Sequence, residues 1–291
     1  MKKNTKITLI IISLILLLAT CAVITLIFTL NPFDKTLSTG ETTQETIVDT
    51  NTLSSFSSFL SLTSTTHDSF KTSKLTKDQM YELTAYYIFW GDFYKKENPF
   101  IDINSCKTPL KDQSSLMKEL EEMNLEPDTV SDYTLTIENF NKIVKAIFGQ
   151  NAYEYEKEYF NIDLYVNTNL FAKLLYSKTE DALVFEYAAV GGMAIPYCHI
   201  DDVVEKDGKM YIDYTIIYYE GHAEDDQQLA FDVYNQVKDF ESKQAYLKSI
   251  IESDKDHYFT TLTSSITIDK SQNKYKIEEY SKISLEYSSL N

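Results

Sequence analysis

The sequence contains no arginine; all 27 basic residues are lysines, set against 44 acids, for a net charge of −17. That balance excludes nucleic acid as an expected partner. Phosphate backbones are held by Lys and Arg, and an acidic surface repels them. Anionic lipid headgroups are repelled for the same reason. Glycine is scarce at seven residues and proline at five. Glycine loops that cradle phosphates therefore have little material, and no Gly-x-Ser-x-Gly nucleophile turn occurs. The four histidines, His67, His199, His222 and His257, show neither a His-Glu-x-x-His pattern nor zinc-ligand spacing. No Asn-x-Ser/Thr sequon is present. Of three cysteines, Cys21 lies in an apolar run, leaving Cys106 and Cys198. A disulfide between these two would close a loop of about 90 residues and stabilise by roughly 4 kcal/mol. Two buried thiols are the other reading.

Charge is missing altogether from Ile7 to Leu30. As a helix this run spans roughly 36 Å, enough to cross a hydrocarbon core of about 30 Å. Lys2, Lys3 and Lys6 precede it and Asp34 follows it. The bias of positive charge puts residues 1–6 in the cytoplasm and everything after 30 outside it. Two rivals to an uncleaved anchor exist. A cleaved signal peptide has a shorter apolar core. Leu18-Ala19-Thr20-Cys21 resembles a bacterial lipobox, but with Thr at a position that normally takes a smaller residue. The chain beyond the run carries 44 acids against 24 lysines, which favours cations and basic partners.

Residues 31–67 are dominated by Ser and Thr and are expected to form a flexible tether. Phe56, Phe59, Leu60 and Leu62 break its polar pattern; docking onto the folded domain is preferred over lying at the membrane surface. A helical region, 68–150, should follow. Thr76-Lys77-Asp78-Gln79 reads as a capping box ahead of a helix over 77–96, with Met80, Leu83, Tyr87, Trp90 and Tyr94 on its apolar face. Core packing is the ordinary role of such a stripe, and an aromatic ligand platform with Tyr86 is the sharper one. Leu116, Met117, Leu120 and Met123 mark a short helix. Ser115 and Lys118 there fit the Ser-x-x-Lys nucleophile pattern, as do Ser271 and Lys274, but the companion Lys-Thr-Gly is absent. Thr136 should cap a third helix with a stripe of Ile137, Phe140, Ile143, Val144 and Ile147, stopped by Gly149.

From 151 to 291 the period shifts from 3.6 to 2, and an antiparallel sheet is expected, making the whole an α+β protein. Phe160–Val166 and Leu183–Val190 read as strands, and Asn169–Tyr176 as a short helix. Asp207-Gly208 between Tyr197–Lys206 and Lys209–Tyr219 predicts a tight hairpin with a type I′ turn. A helix should end near Ser253, and Tyr258–Asp269 with Lys274–Leu285 should close the sheet. The order of strand, hairpin, helix, hairpin resembles the cystatin-like and nuclear-transport-factor-like class, which implies a curved sheet wrapped on a helix.

Two constellations could carry chemistry. In the hairpin, pairing Lys206 with Lys209 sets Asp202 opposite Asp213 and Asp201 opposite Tyr214. Like charges facing each other repel. They are relieved by a bridging divalent cation, by one carboxyl with a raised pKa that works as a proton donor, or by solvent. Strict alternation places His199 and Asp201 on the other face, away from that pair, and keeps Cys198 and His199 from forming a dyad. The second is the loop at His222, Glu224, Asp225 and Asp226, a candidate cation site without the ligand order of an EF-hand. The expected function is a membrane-anchored, extracytoplasmic binding or assembly module of a bacterial-type envelope, with a membrane or envelope partner. The alternative is an envelope hydrolase working through Asp202, Asp213 or Glu224.

Overall fold

The computed structural model describes residues 48–63, 68–122, 130–161, 172–187, 196–219, 233–253, 259–271 and 274–286. The run from Ile7 to Leu30 lies outside them, and among the described residues no helix is long and apolar enough to cross a membrane. The chain from Glu45 onward forms one compact unit.

The protein is α+β, with two antiparallel sheets. In chain order the elements are α1 (Thr50–Leu60), β1 (Phe70–Lys71), α2 (Lys77–Phe93), β2 (Lys107–Pro109), α3 (Gln113–Glu122), β3 (Tyr133–Leu135) and α4 (Ile137–Phe148). They continue with β4 (Ala172–Ser177), β5 (Ala182–Tyr187), β6 (Tyr197–Lys206), β7 (Lys209–Tyr219), α5 (Phe240–Ser253), β8 (Phe259–Ser271) and β9 (Lys274–Glu286). The larger sheet has the order β1-β9-β8-β7-β6 and the smaller β2-β3-β5-β4. Residue 150 is therefore no boundary of the fold. The smaller sheet takes two strands from either side of it, and Phe70 near the start pairs with Tyr280 near the end.

Alternation along β7 sends Met210, Ile212, Tyr214 and Ile216 inward, where Leu262, Ile266 and Ile268 of β8 join them. The same hydrophobic cluster holds Phe140, Ile143, Val144 and Ile147 of α4 and Tyr87 and Ile88 of α2. Both helices start as their sequences specify. The Thr76 side chain accepts from Gln79 N while the Gln79 side chain accepts from Thr76 N, and the Thr136 side chain accepts from Asn139 N. Gly149 ends α4 at φ +95°, a conformation in which a Cβ is strained. Tyr87 and Trp90 are buried in the core.

Three expectations are corrected. The second half of the supposed tether is helix α1, capped by the Asp49 side chain accepting from Thr52 N, although Phe56, Phe59, Leu60 and Leu62 do dock into the folded domain as expected. Segment 169–176, read as a helix, holds strand β4, which pairs with β5 from Ala172↔Tyr187 to Ser177↔Ala182. Its apolar run has no alternation because both faces are covered. Leu174 and Tyr176 enter the main core, while Leu175 meets Leu116 and Leu120 of α3. Phe160 and Asn161 close a 3₁₀ turn (Lys157–Asn161) instead of opening a strand; residues 162–166 lie outside the described ones.

Candidate functional site

The β6–β7 hairpin turns at Asp207 and Gly208, whose φ values of 55° and 73° are both in the left-handed region that a type I′ turn requires. The register puts Lys206 opposite Lys209 and Asp202 opposite Asp213, as the sequence predicts. Beyond that pair it shifts by one: Ile200, not Asp201, faces Tyr214, and His199 faces Thr215. Asp201 is the extra residue of a β-bulge. A bulge reverses the in–out parity of everything before it. His199 therefore shares the outer face with Asp202, Asp213 and Thr215, contrary to strict alternation, while Cys198 turns inward opposite Ile216.

The bulge gathers a small polar network. Thr215 Oγ1 donates to Asp201 Oδ2 at 2.8 Å, and His199 Nε2 lies 3.6 Å from Asp201 Oδ1. The amide of Val203 donates to Asp202 Oδ1 at 2.9 Å. Burial, more than the Asp201 carboxylate opposes it, holds His199 below its ordinary imidazole value. The ring is therefore neutral at pH 7. Partial burial and then the Asp202 and Asp201 charges push Asp213 above the usual carboxylate range.

β6 is an edge strand, and α5 covers it in an unusual way. Gln244 on α5 accepts from Ile200 N at 2.7 Å and donates to Cys198 O at 3.1 Å. One side-chain amide thus satisfies an N–H and a C=O as a neighbouring strand would, which protects the edge from pairing with another chain.

This network has neither a catalytic triad nor a metal cage. Thr215 contacts Asp201 rather than His199, so the hydroxyl is not joined to the imidazole as a triad requires. Among the described residues no group of three or more His, Cys, Asp or Glu could hold a metal ion. Asp201, Asp202 and Asp213 are exposed on an open sheet face. One consequence is measurable. Asp202→Asn removes the like charge facing Asp213 and is expected to stabilise by about 0.5 kcal/mol at pH 7. A raised carboxyl pKa means the folded state holds its proton longer than the unfolded one. The repulsion therefore vanishes as acid protonates Asp213, and the two proteins should denature alike near pH 3 in urea titrations.

The other sequence candidates fall elsewhere. His222, Glu224, Asp225 and Asp226 lie outside the described residues. Cys106 and Cys198 are free, buried thiols, so the disulfide between them is not formed. Burial pushes the Cys198 thiol far up, which leaves it unreactive. Ser115 Oγ donates to Asp112 Oδ2 at 2.7 Å at the start of α3, a capping bond rather than a nucleophile's setting.

Two features gave no sequence signal. Lys96 donates to Pro196 O at 3.0 Å with its ammonium 5.0 Å from the centre of the Tyr197 ring, and burial lowers its pKa to about 8. Asp92 lines a cleft of about 420 Å³ but is held by Lys107 and the Tyr133 hydroxyl. Both depend on contacts distant in sequence, which no local pattern announces. No protein-family model, no curated protein and no solved structure matches this chain.

Proposed function

We propose that the chain is a membrane-anchored, extracytoplasmic binding or assembly module, held by residues 7–30 and presenting its folded domain outside the cytoplasm. The observation that carries the choice of binding over hydrolysis is the setting of Asp202 and Asp213. A glycoside-type acid and base need a pair of carboxyls flanking a bound sugar in a cleft. These two stand exposed on an open sheet face and line none of the clefts of about 420, 560 and 1110 Å³. The open acidic face suits a basic or cationic surface of a partner in the envelope or the membrane. The layout of a sheet over helices supports the cystatin-like or nuclear-transport-factor-like reading only at the level of architecture.

The test is proteolysis of intact cells followed by crosslinking. Protease added outside should remove the domain after residue 30, and crosslinking before digestion should capture a discrete partner. A domain that survives in intact cells but is cut in lysates would reverse the topology and end this reading.

A further inference from the structure

The domain's charge is inverted at one place. A cleft of about 1110 Å³ opens between α4 and the start of β9. Four lysines line it, Lys142, Lys145, Lys274 and Lys276, against two acids, Glu138 and Glu154. In a chain with 44 acids and 27 lysines, that is the opposite of the average surface. Two of the lysines are paired: Lys145 with Glu154, and Lys276 with Asp269 at 2.8 Å. Lys142 and Lys274 are exposed at the rim, with Glu138 the acid left to offset them.

The floor between them is apolar and rigid. Phe100, Ile101, Ile137 and Tyr275 are half-buried there. From beneath, Phe56 of α1 packs edge-on against both Phe100 (5.8 Å between centroids) and Tyr275 (5.1 Å). Asn141 is not free to adapt, because its amide is spent on the backbone of Tyr155. At Gly149 a Cβ would come within 2.9 Å of Lys276 Cδ, so the absent side chain is what lets the Lys276 stem lie along the wall. Apolar contact area beside a few convergent charges is the general make-up of a small-molecule site.

We infer that this cleft binds an amphiphilic organic anion. Its phosphate or carboxylate sits between Lys142 and Lys274, and its hydrocarbon body lies on Phe100, Ile137 and Tyr275. The apolar body and the anionic head are both required. A bare anion gains only two solvated lysines, and a cationic amphiphile meets charges of its own sign.

Calorimetric titration of the full-length chain in zwitterionic nanodiscs, with empty nanodiscs subtracted, tests this with hexyl phosphate as the probe. Hexyl phosphate is expected to bind at least about tenfold tighter than inorganic phosphate, and hexyltrimethylammonium not to bind. The Lys142→Ser/Lys274→Ser variant alters two exposed residues and should fold normally. It is expected to weaken hexyl phosphate about tenfold or more, while Glu138→Gln should tighten it. Equal affinity for the double variant and the parent, equal affinity for inorganic and hexyl phosphate, or no binding of hexyl phosphate at millimolar concentration would each overturn the assignment.

Discussion

Raising the pH above about 10 is expected to unfold this domain cooperatively, within about one to three pH units. Tyr87, Tyr155, Tyr214 and Tyr280 are each less than 2% exposed. Burial raises the pKa of all four above the ordinary phenol value. Tyr155 donates to Lys77 O at 2.7 Å, a carbonyl that suits the neutral phenol, while at Tyr214 burial outweighs the 2.9 Å bond with Thr63 Oγ1, which acts in the opposite sense. A pKa raised by folding marks stability that is intact below the unfolded value and is lost as pH climbs toward the folded one. Each such group removes about 1.4 kcal/mol per pH unit once the unfolded chain begins to ionise. Four together remove roughly 5.5 kcal/mol per unit, against a total of about 5–15 kcal/mol for a typical domain.

Two other groups shape the approach to that limit. Lys96, lowered to about 8, works in the opposite sense. Above that value the unfolded chain holds a proton the folded one has released, so stability rises with pH. The Cys198 thiol, raised by burial from an ordinary value of 9.0, begins to cancel this gain one unit higher. Maximum stability is therefore expected near pH 9, followed by the steep loss. Circular dichroism and tyrosinate absorbance followed together would check it, and both should change in one transition. Tyrosinate absorbance that develops in full while the fold persists would refute the account. Tyr214→Phe should make the alkaline slope shallower by about 1.4 kcal/mol per pH unit, since one raised phenol is gone.

How much of this was legible beforehand depends on whether a signal was local. The Thr76 capping box, the Thr136 cap, the Gly149 stop and the Asp207-Gly208 turn are written within a few residues, and each appears in the structure where the sequence puts it. Asp202 opposite Asp213 followed from the turn alone. The Asp201 bulge did not. Nothing in Cys-His-Ile-Asp-Asp marks an inserted residue, and one insertion moved His199 across the sheet. Strand β4 failed for a different reason. Its run of Leu174, Leu175 and Tyr176 is covered by the main core on one side and by α3 on the other, so the alternation that identifies a strand is erased. The lysine cleft was invisible because α4 and β9 bring Lys142 and Lys274 together across more than a hundred residues.

The largest misreading, the tether, leads to the second strong expectation. Phe56→Ala should destabilise the whole domain by about 3–5 kcal/mol, the cost of emptying a fully buried aromatic site. A residue in a flexible spacer would show no effect. Composition suggested a spacer because Ser and Thr outnumber apolar residues there. The few apolar residues recur at helical spacing, however, and Phe56, Phe59 and Leu60 reach one face of α1. The Ser and Thr residues are also partly used. Ser57 Oγ donates to Cys198 O at 2.8 Å, and the Thr63 carbonyl accepts from the Tyr218 hydroxyl at 2.7 Å. The folded body thus takes in α1, ahead of residue 68. Urea unfolding of Phe56→Ala beside Ser54→Ala, a change at an exposed position of the same helix, separates the two accounts. The first should lower the midpoint steeply. The second should leave it unchanged or slightly higher, because Ala is the better helix former. Loss of Phe56 also removes the support under Phe100 and Tyr275, so in any Phe56 variant that still folds the cleft should lose affinity for its probe along with the domain's stability.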